Sequence, residues 1–264
     1  MSAPPGYTNQ QLILADGFVG ADLDTQKWST YLGAQGIIWN NYGRLPMPYS
    51  APNASPLEDE LAMFGPSQVS VHNGLILTAQ TNTTRFAKTY PWISGVTTTE
   101  GKVSLPATGW YVQVKAKMPD MTAGMWPAIW FMPDTSTSKV PEIDLFEGGW
   151  KSADPNETMH ADYGGGAGQY AGYRDIIYNT KTDLAAGYHV YGIQYIPHVS
   201  VKYFFDGNLV FEQSASDKGG VPAGTYELLL ELQVASPQTS QWHTVPTASS
   251  PSQSMDIAEV QAYS

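Results

Sequence analysis

Apolar and polar residues alternate with a period of two through most of this chain, and the 3.6-residue period of an amphipathic helix is almost absent. In "QVSVHNGLILTAQ", Val69 and Val71 precede Asn73-Gly74, and Leu75, Leu77 and Ala79 follow. This pattern predicts a hairpin around a type I′ turn, whose backbone Asn-Gly adopts at low cost. "VSVKYFFDGNLVF" repeats the device around Asp206-Gly207. Further strands are predicted in "GWYVQVKAKMP", "MWPAIWFMP", "GYHVYGIQYI", "TYELLLELQV" and "SMDIAEVQAY". One helix is expected over residues 55–64, "SPLEDELAMF", where Ser55 would cap, Pro56 suits the first position and three acids favour the first turn. Long loops are expected at 40–56, 82–98, 162–175 and 235–254, and loops of that length usually build binding rims. Many short strands between Gly/Pro-rich loops predict an all-β fold, an antiparallel sandwich.

No repeat and no linker divides the 264 residues, so a single domain over residues 11–264 is expected, preceded by an N-terminal extension, residues 1–10. Charged residues are 14% and aromatics 12% of the chain, with 16 Tyr and 8 Trp, a surface chemistry suited to sugars, which stack on flat rings and bond neutral polar groups. The formal charge of -11 makes nucleic acid an unsuitable partner. Without cysteine there are neither disulfides nor thiolate metal sites. No apolar run approaches the ~18 residues of a membrane span. "MSAPPGYTNQ" has neither a basic nor an apolar leader region, so an extracellular location is expected from function alone. A monomer is expected.

The stretch "PEIDLFEGG", residues 141–149, crowds three carboxylates into six positions of an apolar strand. In a regular strand Glu142 and Asp144 share one face while Glu147 falls on the other. One bulged residue between Asp144 and Glu147 restores the phase and turns all three acids to one cleft. Glu142 and Glu147 then lie about four regular steps, roughly 13 Å, apart at Cα. Side chains leaning together narrow this to the ~5–5.5 Å that a retaining glycosidase needs between nucleophile and general acid. A solvated strand face would mix Lys or Thr among the acids, and a calcium loop wants a flexible turn; Ile143, Leu145 and Phe146 make this a packed element instead. The expected roles, by order within the stretch, are Glu142 as nucleophile, Asp144 as its hydrogen-bond partner and Glu147 as acid and then base.

"EIDLFE" resembles the Glu-x-Asp-x-x-Glu signature of glycoside hydrolase family 16. "GMWPAIWFMP" upstream, "HADYGGG" after it, "GYHVYGIQYIPHVSVKYFFDGNLV", "ADGFVGADLDTQKW" and "VSVHNGLILTA" fall in the order that family shows, so the resemblance covers nearly the whole chain. It implies a jelly-roll β-sandwich with a carbohydrate cleft across its concave sheet, hydrolysing internal β-glycosidic bonds with retention. The six-residue form of the motif is similar to that of laminarinases and of galactan-cleaving members. By the same match Trp126 and Trp130 would line the cleft, Trp150 would end the catalytic strand and His160 would approach the acid/base. The alternative reading makes the tryptophans core residues and His160 a hydrogen-bonded core histidine, and sugar stacking is the reading favoured beside the three acids.

Departures from the family pattern bear on the substrate. Gln113 and Lys115 stand where an acid and an Arg are usual, which suggests an altered charge around the cleft. Glu231 and Gln233 stand where glucan-cleaving members more often show Asn and a Gly-Gly turn. Ala258 replaces the Asp that many members place on a structural calcium, although Asp256 and Asp16 could still supply oxygens. No cofactor is expected, because two carboxylates and a water suffice. Low charge points to a neutral polymer: a β-1,3-glucan first, a neutral β-galactan second. A transglycosylase would use the same intermediate, and a non-catalytic glycan binder would not need both glutamates.

Overall fold

The computed structural model describes residues 1–30, 37–40, 43–46, 61–81, 91–133, 140–151, 154–165, 174–247 and 249–264. Its strands are β1 (Leu12–Asp16), β2 (Ile37–Asn40), β3 (Gly43–Pro46), β4 (Ala62–Phe64), β5 (Val69–Val71), β6 (Leu75–Thr81), β7 (Trp92–Ser94), β8 (Val96–Thr98) and β9 (Trp110–Lys117). They continue as β10 (Met125–Pro133), β11 (Glu142–Glu147), β12 (Thr158–Gly165), β13 (Arg174–Asn179), β14 (His189–Ile196), β15 (Ser200–Phe205), β16 (Asn208–Ser214), β17 (Tyr226–Val234) and β18 (Gln253–Tyr263). Ten strands form one sheet, with the order β16-β15-β14-β9-β18-β6-β7-β4, β1 adding to β18 and β5 to β6. Six form a second, in the order β13-β12-β11-β10-β17-β8, and β2 and β3 pair as a separate two-stranded sheet. The pairing is antiparallel apart from β4 beside β7, and the fold is the expected all-β sandwich.

Alternation decides which residues the two sheets enclose. From β9, Trp110, Val112, Val114 and Ala116 point inward; from β10 and β17, Met125, Ile129, Phe131, Leu228, Leu230, Leu232 and Val234 meet them. Trp110 fits between Phe131 and Tyr195, with ring centroids at 4.8 and 5.2 Å. The intervening residues of the six-stranded sheet face outward. There Val96, Ala128, Trp130 and Leu229, joined by Phe64 from β4 of the ten-stranded sheet, form a smaller cluster of their own.

Three local expectations change. The hairpin at Asp206-Gly207 is a two-residue turn with φ of 46° and 77° and Phe205 opposite Asn208, as type I′ requires. At Asn73-Gly74, Val71 pairs with Leu75, so the loop has three residues, and Gly74 takes φ 146°, which type I′ does not use. The C-terminal part of the expected helix, Ala62–Phe64, is a strand, held by parallel pairing to Trp92–Ser94; its earlier part lies outside the described residues. Tertiary pairing thus overrides a local helix signal. The expected loops also contain strand: β3 lies within 40–56, β7 and β8 within 82–98, all too short to show a period, and β12 and β13 run into 162–175 from either end.

Gln113 and Lys115 correct the reading of cleft charge. Both belong to β9, in the ten-stranded sheet. Gln113 faces outward there, bonding Gln261 at 2.7 Å and the Ser2 carbonyl at 2.8 Å. Their departure from the family pattern therefore concerns the opposite side of the molecule.

Candidate active site

The site occupies the outer face of the six-stranded sheet, where β11 is a central strand. Against β10, Asp144 pairs with Trp130 and Phe146 with Ile129, so Leu145 is an extra residue in β11. The same irregularity appears against β12 between Asp144 and Glu147. This is the bulge that the phase of the acids demanded. Ile143, Leu145 and Phe146 all go to the core, leaving Glu142, Asp144 and Glu147 on the outer face.

Neighbouring strands add to the cluster by register. Ala128 lies opposite Glu147 on one side and Glu231 on the other. Across β12, Glu147 pairs with His160 and Asp144 with Asp162; across β13, Asp162 pairs with Asp175. Asp144, Asp162 and Glu231 are 5%, 7% and 2% exposed. Burial of so many carboxyl groups together raises their affinity for protons. Glu142 is pushed up to about 8 by burial and then by Glu147 and Glu231. Asp144 is raised well above its ordinary range, again by burial first and then by Glu142 and Glu147. Burial likewise lifts Asp162 to about 8 and Glu231 to about 7.

Glu147 departs from its neighbours. Burial pushes it upward too, but hydrogen bonds and the charge of His160, with help from Trp126, outweigh this and leave it below its ordinary value. His160 Nδ1 lies 3.0 Å from Oε2, and Trp126 Nε1 donates to Oε1 at 3.0 Å. His160 Nε2 bonds Asp175 Oδ1. Burial works against the charge on His160, but these carboxylate bonds lift it to about 9.

The expected sugar-binding residues take distinct places. Trp126 is partly exposed, and its ring packs on His243 at 4.2 Å. Trp130 is only 8% exposed and its indole N–H donates to Glu231 at 3.0 Å, so it lines the site chiefly by fixing that carboxylate. Trp150 stacks on His160 at 3.6 Å with the planes 19° apart, and Trp242, 39% exposed, lies 6.3 Å beyond. Two glycines bring Trp150 there. A side chain on Gly149, at φ +79°, would meet the Met125 carbonyl at 2.3 Å, and one on Gly148 the Met121 sulfur at 2.3 Å.

His160 therefore does approach Glu147. Among the described residues no side-chain hydrogen bond joins Asp144 to either glutamate, and their coupling is electrostatic. Asp162, Asp175 and His243 were not read from the sequence as site residues. Asp162 was legible, since His160-x-Asp162 shares a strand face. Asp175 and His243 arrive by long-range pairing, the latter through a bridge between Trp150 and His243.

The calcium that the resemblance implies for many members does not fit the residues present. Asp16 accepts from Phe18 N at 2.7 Å and Trp28 Nε1 at 2.9 Å, and the Lys27 ammonium stands 3.6 Å from the same carboxylate. A cation already faces that group. Asp256 is bonded by Ser254 at 2.9 Å.

No family model matches the chain. Over 132 residues it is 33% identical to the endo-1,3-1,4-β-glycanase ExsH of Rhizobium meliloti, a stretch covering 48% of this chain and 26% of that protein. Over 217 residues it is 25% identical to the glucan endo-1,3-β-glucosidase A1 of Niallia circulans, covering 79% and 30%. The matched stretches thus span under a third of the length of these relatives. Among solved structures, a non-specific endo-β-1,3(4)-glucanase from family 16, SCLam, superposes with a TM-score of 0.75 at 19% identity, over 99% of this chain and 94% of that one. The resemblance seen in the motif therefore holds in three dimensions: this sandwich is the fold of the family 16 glucanases.

Proposed function

We propose that the chain is a retaining endo-glycoside hydrolase that cuts internal bonds of a neutral glucan containing β-1,3 linkages. The observation that carries this reading is the bulge at Leu145, which puts Glu142, Asp144 and Glu147 on one face. Glu142 attacks the anomeric carbon, and Glu147 protonates the leaving oxygen and then draws a proton from the incoming water. Asp144, whose proton is held harder than any ordinary carboxyl's, keeps that proton beside Glu142. Glu142 attacks as the carboxylate, a form that the positive charge developing on the sugar ring favours.

Six carboxyl groups on this face disfavour an anionic polymer. Curated relatives named for β-1,3 and mixed 1,3-1,4 bonds support a glucan over a galactan. A polymer of that size is met outside the cell, so the activity is placed there. The test is a panel of β-1,3-glucan, mixed-linkage glucan and β-galactans, following reducing ends, product sizes and the anomer first released. Mid-sized oligosaccharides born as β-anomers from the glucans are expected. Release of α-anomers, or cleavage of galactans alone, would overturn the reading.

A further inference from the structure

His160 is fully buried, and each ring nitrogen faces a carboxylate: Nδ1 faces Glu147 at 3.0 Å and Nε2 faces Asp175. A neutral imidazole has one N–H and one lone pair, so it can donate to only one of them. Two hydrogen bonds among these three groups need two protons, one more than a neutral histidine between two ionised acids supplies. Asp175 is held below its ordinary range, first by the bond from His160, and its side chain is 42% exposed. Asp175 thus stays ionised. The additional proton lies between Nδ1 and Glu147 Oε2, beside the place where the leaving oxygen must arrive.

We propose that Glu147, His160 and Asp175 form a proton relay, in which His160 stores at Nδ1 the proton that Glu147 delivers to the leaving group and Asp175 is the positioning residue that keeps Nε2–H bound. This rests on Glu147 being the acid/base. In the first step the proton passes from Nδ1 to Oε2 and from there to the glycosidic oxygen, while the C–O bond breaks and Glu142 forms its bond to the anomeric carbon. His160 is left neutral, still donating Nε2–H to Asp175. In the second step water attacks the glycosyl-enzyme, its proton goes to Glu147 and on to Nδ1, and the Glu142 ester bond breaks. The starting charges are restored without any external acid.

The surroundings suit this role. Trp126 N–H occupies Oε1, leaving Oε2 for the transfer. Trp150 covers one face of the imidazole, where an aromatic ring stabilises the cationic form. Other titratable groups facing His160 are Asp162 on its own strand and His243 beyond Trp150. His243, lowered by burial to about 4, stays neutral and does not compete for the charge. The relay also accounts for a general acid that is ionised at rest: the proton is stored one atom away.

Two measurements test it. In the free protein, histidine ring NMR should show His160 with both nitrogens protonated at pH 7, and Asp175→Ala should lower its titration midpoint by about one unit or more. In pH profiles of kcat/KM on a glucan that the wild type cleaves, Asp175→Asn should move the alkaline limb to lower pH by about one unit. A neutral His160 at pH 7, or an Asp175→Asn enzyme with the wild-type alkaline limb, would overturn the relay and leave the hydrolase reading standing. Absence of glucan cleavage by the wild type would overturn the hydrolase reading and the transfer step with it, while the NMR result would still report on the pairing.

Discussion

The outer faces of the two sheets both carry buried polar side chains, and they satisfy them in opposite ways. On the ten-stranded sheet, Gln113 donates to Gln261 at 2.7 Å, Gln261 to Glu259 at 2.7 Å and Tyr263 to Gln261 at 2.8 Å, with the ring of Tyr7 against Tyr263. Amides and a phenol close on one another there. On the six-stranded sheet, six carboxyl groups surround His160, and among the described residues Asp162 Oδ1, Gln233 Oε1, Trp150 Nε1 and His243 Nε2 are buried without a partner, against Ser200 Oγ and Gln213 Oε1 at the far edge of the ten-stranded sheet. Unpaired buried polar groups weaken a fold. A face that keeps them is shaped for something that arrives later, whereas the amide network is complete without a ligand.

The largest break in this contrast comes from the acids. Glu142→Gln removes the nucleophile at constant volume, and turnover should fall by several orders of magnitude while the far-UV spectrum and unfolding midpoint remain those of a folded protein. Wild-type turnover would remove Glu142 from the chemistry. Next in size, Glu147→Ala should lose roughly 10²–10⁴-fold of activity on polymer. Added azide, which attacks the glycosyl-enzyme without a base, should restore part of it as the β-glycosyl azide. An α-azide product would exchange the roles of the two glutamates, since it reports loss of the nucleophile instead.

The two faces also differ in how far the sequence disclosed them. Strands β9, β10, β17 and β18 were readable because alternation is local, and the bulge was readable because Glu147 is out of phase with Glu142 and Asp144. The turn at Asp206-Gly207 followed from residues that accept positive φ. Ala62–Phe64 was misread as helix because its strand state depends on Trp92–Ser94, thirty residues on. In the site, Glu142, Asp144, Glu147 and His160 came from one stretch and its neighbour strand. Asp175 and His243 could not, since only the β12·β13 register and the Trp150 bridge bring them in. Gln113 shows the opposite limit: its place in the family pattern is visible in the sequence, but the sheet that carries it is set by long-range pairing.

Smaller effects separate the faces by pH. Carboxyls whose folded pKa is raised contribute stability that is complete below the unfolded value and lost as pH rises through the folded one. For Glu231 that window runs from 4.5 to about 7; for Glu142 from 4.5 to about 8. His160, raised from 6.5 to about 9, has the same sign. Thermal stability should therefore decline from mildly acid to alkaline pH. Glu231→Gln keeps an oxygen for the Trp130 and Gln233 donors at 3.0 and 3.1 Å while removing the charge, so it should recover roughly 1–3 kcal/mol at pH 9. An unchanged decline in that variant would show that Glu231 is not among the groups that cause it.

Gln113→Ala is the counterpart on the other face and the smallest effect. It removes one of the two donors to Gln261 Oε1 while Tyr263 keeps the other, and should cost about 0.5–1.5 kcal/mol by denaturant unfolding, the net worth of one hydrogen bond. No titrating group is gained or lost, so the cost should be equal at pH 5 and pH 9, and kcat/KM on glucan should match the wild type. A Gln113→Ala penalty that grew with pH would mean that the network is coupled to the ion pair between Glu259, 2.7 Å from the Gln261 amide, and the N-terminal ammonium. The amide face would then respond to charge as the acidic face does and no longer serve as its reference.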